Sequence, residues 1–338
     1  MSIQSSELVW RKSAEVSDAG TNGGSMSSVV SVTTAKNNIF QDVSQAQRLA
    51  GGITHRKMFV LVNNSEASGD NAGLTLVAPR VFVETQTPGD DMINIFGATQ
   101  TDIQSAITGS EQKYGMGLLN APVSGGASVV VVNVEDWSVV PIFADGMTIR
   151  ISDKTSISDT GNNEEYHVID AGGVAVNVDQ ITLTLVGTLT NGYSAGAKVS
   201  SVYEPGDVEC VVSAFSNTGS GTFTAAGITT DNTGTVQQAW RITFTSATAY
   251  TVQGLDGIGS VGAGNVGSDF LSATNPDTGG KYFTLRSADF GGTFTTNDTI
   301  DFTTSPAAIP VWYRRDVPAG ASSLSGNSII VAVDGESS

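Results

Sequence analysis

Cysteine is all but missing from this chain. There is one, Cys210, so no disulfide can form within it. Cys210 sits in "VECVVSAF" between apolar residues and reads as a buried thiol rather than a nucleophile. Cations are scarce too: 16 Lys+Arg face 33 Asp+Glu, for a formal net charge of −17 and a pI near 4.3. The only basic doublets are Arg11-Lys12, Arg56-Lys57 and Arg314-Arg315. A nucleic-acid binder needs a stripe of cations to displace phosphate counterions, and an anionic membrane surface repels a chain of this charge. Neither nucleic acid nor membrane insertion is therefore expected. Charge of both signs amounts to 14% of residues, against a usual quarter or so, and solubility rests on Ser, Thr, Asn and Gly. Long apolar runs are absent as well. Runs such as "VVVV" at 129–132 are far short of the ~18 residues of a membrane helix. The opening "MSIQSSELVWRKSAEVSDAG" has no apolar core of a secretory signal, so export by that route is not expected.

What is present is alternation. "KMFVLVNN", "LTLVAPRVFVE", "MTIRISDK", "QITLTLVG", "WRITFTSATAYTV", "KYFTLRS", "DTIDFTT" and "SIIVAVDG" all carry the period of two that marks strands. The 39 glycines among 338 residues exceed the usual ~7% and punctuate short strands. One helix is expected, in "QDVSQAQRLAGG", with Asp42 as N-cap, Gln45 three residues on, Ala46, Leu49 and Ala50 as apolar face, and Gly51-Gly52 as stop. The class is all-β, and 338 residues is a length for two or three domains. No period of 20–50 residues recurs, against a propeller or solenoid.

Composition divides the chain. Residues 1–50, polar and poor in apolar anchors, read as an extended N-terminal arm with the short helix. Residues 51–120 hold a first strand set. "APVSGGA" at 121–127 reads as a linker, 121–205 as a small β-barrel module and 206–308 as a second inserted β domain. Strands at 57–64 and 74–84 lack partners, and two strands near the C-terminus cannot close a core alone. We therefore expect one discontinuous immunoglobulin-like β-sandwich, 51–120 plus 309–338, with Trp312 as its inward anchor.

Motifs that could carry chemistry fail on context. "GIGSVG", Gly257 to Gly262, is a literal G-x-G-x-x-G, but "AGNVGSDFLSATNPDTGG" follows it. That stretch is too rich in Gly, Asn and Pro for the helix whose N-terminus binds a pyrophosphate, and Asp269 and Asp277 fall at the wrong spacing. "GYSAG" around Ser194 mimics a nucleophile elbow, but the only histidines, His55 and His167, lie upstream, and the elbow's helix is not signalled. Both motifs read as turns. Two lone histidines do not make a zinc site. "SDKTSISDTGNNEEY", with Asp153, Asp159, Glu164 and Glu165, lacks the EF-hand pattern and reads as a solvated loop. "TPGDD", Thr87 to Asp91, reads as a Pro-Gly turn. No catalytic residue, cofactor-binding residue or metal ligand is assigned.

Three longer strings carry a resemblance: "KNNIFQDVSQAQRLAGGITHRKMFV", "LTLVAPRVFVETQTPGDDMINIF" and "PAAIPVWYRRDVPAGASSLSGNSIIVAVDGE". Together they resemble a family of virion structural proteins of tailed bacteriophages and prophages. The middle, from "FADGMTIRISDK" to "KVSSVYEPGD", is similar to small β-barrel modules of phage structural proteins. The resemblance implies a non-enzymatic, oligomeric tail-end or baseplate protein, assembled in the bacterial host cytoplasm into the virion. Its partners would be tail tube, hub or baseplate neighbours and further copies of itself. Two alternatives remain open: a host-surface glycan-binding or depolymerising tail protein, and a capsid decoration protein.

Overall fold

The computed structural model describes residues 2–31, 35–64, 73–135 and 140–337. It is all-β, with several sheets and a small closed barrel. In chain order the first elements are β1 (Leu8–Glu15), β2 (Gly23–Val30), a helix α1 (Gln45–Ala50), β3 (Gly52–Val62), β4 (Leu76–Thr85) and β5 (Met92–Gly97). Six strands follow: β6 (Met116–Leu119), β7 (Val129–Asn133), β8 (Thr148–Ser152), β9 (Glu164–Asn177), β10 (Gln180–Leu185) and β11 (Lys198–Tyr203). A third set is β12 (Val211–Thr218), β13 (Gln238–Phe244), β14 (Ala249–Gly254), β15 (Gly259–Asn265) and β16 (Thr299–Ser305), and β17 (Ala308–Val317) and β18 (Ile330–Ser337) come last.

Strands from both ends of the chain share sheets. One sheet has the order β2-β1-β3-β17-β5, and β17 pairs with β3 from Ala308↔Leu61 to Val317↔Gly52. Met58 to Val62 are buried without interruption, which is why β3 reads as a continuous apolar run: it is a central strand covered on both faces. In the facing sheet β4 pairs with β18, Val333 opposite Val81. Val60, Val62, Val81, Val83, Ile309, Val311 and Tyr313 fill the core between the two sheets, with Ile329, Val331 and Val333 packed against it.

The barrel is a ring, β11-β6-β7-β10-β9-β8, closed where β8 returns to β11. Three turns of one design seal it. The turns 124–127, 144–147 and 194–197 each put glycine third, Gly126 at φ +90, Gly146 at +79 and Gly196 at +83, as a type II turn requires. In each, the glycine N–H donates to the carbonyl of a buried apolar residue: Gly126 to Leu189, Gly146 to Ile169 and Gly196 to Leu119. The same three residues donate back to the carbonyls of Ala127, Met147 and Ala197. All three point into the barrel core beside Val130, Val132, Ile149, Ile151, Ile181 and Leu183. The stretch 121–127, expected as a linker, is thus part of the barrel wall, and β6 places the barrel's start before residue 121.

Strand β11 belongs to two structures at once. Its first half pairs with β6 and β8, and its last residues pair with β4, Val202 opposite Phe82 and Tyr203 opposite Val81. At this crossing Ser200 and Ser201 are fully buried. Ser200 Oγ donates to the Val83 carbonyl at 2.7 Å, and Ser201 Oγ accepts from Gly115 N–H at 2.9 Å. Beside them Arg150 lies between Glu84, 2.5 Å from Nη1, and Glu164, 2.7 Å from Nε, while Lys198 reaches Glu84 at 2.8 Å. The guanidinium stacks over Phe82 at 4.7 Å.

The third set forms a sheet β12-β16-β13-β14-β15, covered on one side by short pairings such as Phe223↔Phe290 and Phe270↔Leu285. Its core is aromatic, with Trp240, Phe244, Tyr250, Phe283 and Phe302. Asn232 ties this unit to the sandwich, donating to Asn64 Oδ1 at 2.8 Å and the Leu74 carbonyl at 2.9 Å.

Four expectations need correction. Residues 1–50 are not an extended arm: β1 and β2 form a hairpin whose β1 pairs with β3, Trp10 opposite Val60. Its short, bulged register, with breaks on both sides of Ser13, hides the alternation. Helix α1 is capped by Ser44, which accepts from Gln47 N–H while Gln47 Oε1 accepts from Ser44 N–H, and not by Asp42, which pairs with Lys36. Its face is not buried: Leu49 is 69% exposed. Tyr313, not Trp312, enters the sandwich core, because neighbouring strand residues point to opposite faces. In "KYFTLRS" only Thr284–Leu285 is strand.

Replacing Arg150 by Ala takes from Glu84 and Glu164 the cation they share and leaves them Lys198 and Lys154 alone, and a loss of about 3–5 kcal/mol is expected. The double change Arg150→Met with Glu84→Gln should cost less, because the fully buried carboxylate of Glu84 goes with its cation, and the charges left behind, Glu164 and Lys198, both reach solvent. Urea unfolding of the single and double variants measures the difference.

Candidate functional site

The first glycine motif runs from a turn into strand β15, and the second ends in a turn of the barrel. Gly257, φ +98, and Gly259, φ +75, shape the hairpin between β14 and β15, and Gly262 lies within β15 against Phe270. No helix follows, so no helix N-terminus faces the loop. Ser194 is exposed in the barrel turn 194–197. His167 pairs instead with Glu165, Nε2 to Oε2 at 2.9 Å.

Glu165 lies on β9 and reaches the backbone of residues 190–191. Burial alone would raise its pKa, but hydrogen bonds from Thr190 N–H, His167 and Asn191 N–H outweigh it and hold the group at about 2. It is thus a fixed anion that anchors the loop before Tyr193. Asp159 accepts from Gly161 N–H, Thr155 and Asn162, which holds its carboxyl well below the usual range. Asp153 accepts from Asn163 N–H, and Glu164 belongs to Arg150. In "TPGDD" the Thr87 hydroxyl donates to the Asp91 carbonyl, and Asp91 in turn accepts from Asn327. Cys210 is half-buried at the edge of the sandwich core, and desolvation pushes its thiol up to about 11, away from the thiolate a nucleophile needs. Among the described residues no group of three or more His, Cys, Asp or Glu is arranged to hold a metal ion.

Sequence reasoning missed two polar assemblies. One is the crossing at Arg150. The other lies on the face of the first sheet opposite the sandwich core. There Lys57, with a side chain 0% exposed, meets Asp102 at 2.6 Å, Nζ to Oδ1. Lys57 Nζ also donates to the carbonyls of Gly24, 2.7 Å, and Asp102, 3.0 Å. Trp312 Nε1 donates to the other Asp102 oxygen at 2.9 Å. Gly23 is required here: a Cβ would stand 2.8 Å from the Trp312 ring. Beside this centre Asn22 bonds the His55 carbonyl and Gln104, and from the other face of β3 Arg56 holds Asp18 at 2.7 Å. The centre thereby fastens the β1–β2 hairpin and the segment around residue 102 to β3 and β17. Each element offers only one or two of these residues, so no local pattern announces them.

A cleft of about 850 Å³ opens between residues 35–43 and 321–329. Arg315 forms part of its wall, stacked over Phe40 at 4.7 Å and donating to the Gln41 carbonyl at 2.8 Å. Asp42, Asp90 and Asp91 also line it. Its charges are mixed, and its buried cation is engaged with the chain itself.

His55 supplies a pH test of this region. Burial, then the nearby Arg314, lowers its pKa from about 6.5 to about 4. The unfolded chain therefore binds the extra proton first, and the contribution of neutral His55 is present above pH ~6.5 and lost as pH falls toward 4. The stability difference between wild type and His55→Gln should shrink over that interval in parallel denaturation curves. A difference constant with pH contradicts the assignment. Comparison with family models, with curated proteins and with solved structures finds no match to this chain.

Proposed function

We propose that this chain is a non-enzymatic structural protein that works through protein–protein contacts, an oligomeric tail-end or baseplate component of a tailed-phage virion. The observation that carries the structural reading is where the cations are. Of 16 Lys+Arg, Arg11, Arg56, Lys57, Lys113, Arg150 and Arg315 are buried. They hold hairpins, sheets and barrel together and do not face solvent. What is left outside is acidic and built on sheets, a surface suited to docking basic protein faces and unsuited to nucleic acid. The titratable groups with the lowest pKa values are locked by backbone hydrogen bonds, as loop anchors are. The phage assignment rests on the resemblance of the three quoted strings. In the same reading the two-sheet unit joining the chain ends is immunoglobulin-like, and the barrel and the aromatic unit are its insertions.

A density map of the intact particle, with the purified chain assayed in parallel, tests this reading. Density for the chain at the tail end, and no change in capsular polysaccharide or peptidoglycan incubated with the protein, is the expected result. Density on the head surface makes it a decoration protein, and cleavage of either polymer makes it a depolymerase. Either outcome overturns the proposal.

A further inference from the structure

The Lys57–Asp102 centre has the parts of a bond-forming site. Lys57 Nζ lies 5.0 Å from the centre of the Phe59 ring and 6.0 Å from that of Trp312, so aromatic surface replaces water around the amine. Asp102 keeps 21% of its side chain exposed, so the centre is not sealed from water. We propose that Lys57 and Asp102 condense into an intramolecular isopeptide bond between Nζ and Cγ, with loss of one water.

The geometry supplies each step. Three N–H groups of Lys57 are directed, one to Asp102 Oδ1, one to the Gly24 carbonyl and one to the Asp102 carbonyl. Transfer of the first proton to Oδ1 turns an ion pair into a neutral amine and a neutral acid, the form an apolar enclosure favours. Desolvation by burial lowers the Lys57 pKa, against the opposing effect of Asp102. The two remaining N–H groups stay on their carbonyls, so the vacated lone pair faces the Asp102 carboxyl. Nζ then adds to Cγ. The negative charge goes to Oδ2, where Trp312 Nε1 already donates at 2.9 Å, as an oxyanion donor does. Nζ gives a second proton to the hydroxyl on Oδ1, the Cγ–Oδ1 bond breaks, water leaves and the carbonyl re-forms at Oδ2. One ammonium and one carboxylate become one amide and one water, with no oxidant, metal or cofactor. The fold pays in advance for bringing the groups together, as in intramolecular reactions generally.

The bond would close residues 57–102 into a covalent loop and lock the turn at Gly23-Gly24 between them. It stands independently of the proposed function. Intact mass of the denatured full chain, followed by a tryptic digest, tests it. The expected result is a mass lower than the sequence mass by one water, no cleavage after Lys57, and one branched species carrying the Lys57 and Asp102 peptides. Lys57→Arg should return the chain to its own sequence mass. A wild-type chain at full sequence mass with the two peptides separate overturns the proposal. So does loss of water without a branched peptide, persisting in Lys57→Arg, which marks a succinimide at an aspartate instead. The wild-type digest decides by itself, so the test survives a variant that fails to fold.

Discussion

Arg150 is the residue on which the arrangement of the molecule turns. It sits on β8, inside the barrel module, yet its guanidinium is shared between Glu84 on β4 of the sandwich and Glu164 on β9. A buried ion pair of this kind adds little net stability over a well-packed apolar core, but an unpaired member is costly. The network therefore acts as a register device: only one alignment of β4, β8 and β11 leaves no charge orphaned. Strand β11 makes the same alignment through the backbone, since it cannot pair with β8 and β4 in another register without moving Ser200 and Ser201 from their partners. Small residues at this crossing let two sheets approach, as Gly97 does beneath Tyr203, where a Cβ would lie 2.8 Å from the hydroxyl.

The same economy of cations governs the other side of the sandwich. Lys57 and Arg56, adjacent in sequence, point to opposite faces of β3, yet each captures part of the N-terminal hairpin. A chain with a net charge of −17 has few cations for its surface, and this one spends several of them internally. The consequence is a more acidic exterior than composition alone suggests. Acids such as Glu165 on β9 and Asp159 tolerate this because backbone N–H groups, with His167 at Glu165, and not lysines hold them. The three like-built barrel turns show the matching backbone strategy: a glycine at positive φ and a reciprocal pair of hydrogen bonds do the work that ion pairs would do elsewhere.

Alternation exposed the strands that are long and flanked by turns. "QITLTLVG" becomes β10 and "WRITFTSATAYTV" becomes the β13–β14 hairpin. The all-β class and the turn character of the glycine motifs were legible for the same reason: both depend on local spacing. The β1–β2 hairpin was not, because bulges break its period and its partner β3 lies far along the chain. The face of Trp312 was misjudged by one residue, and a period of two converts that into the opposite side of a sheet. The cap of α1 was misplaced by two, since Asp42 and Ser44 are both good caps and only the capping box with Gln47 decides between them. The Lys57–Asp102 and Arg150–Glu84 centres were invisible: they join residues 45 and 66 positions apart, a relation that only the fold creates.

The central claim is that barrel and sandwich are one cooperative body, joined through β11 and the charges beneath it. Native-state hydrogen exchange reads this directly at the amides of β11. The account predicts that Val199 and Ser200, in the barrel half, and Val202 and Tyr203, in the sandwich half, exchange with one common opening free energy, shared by Phe82 and Ile151. Two distinct values, with the barrel half opening while the sandwich half stays closed, would contradict it.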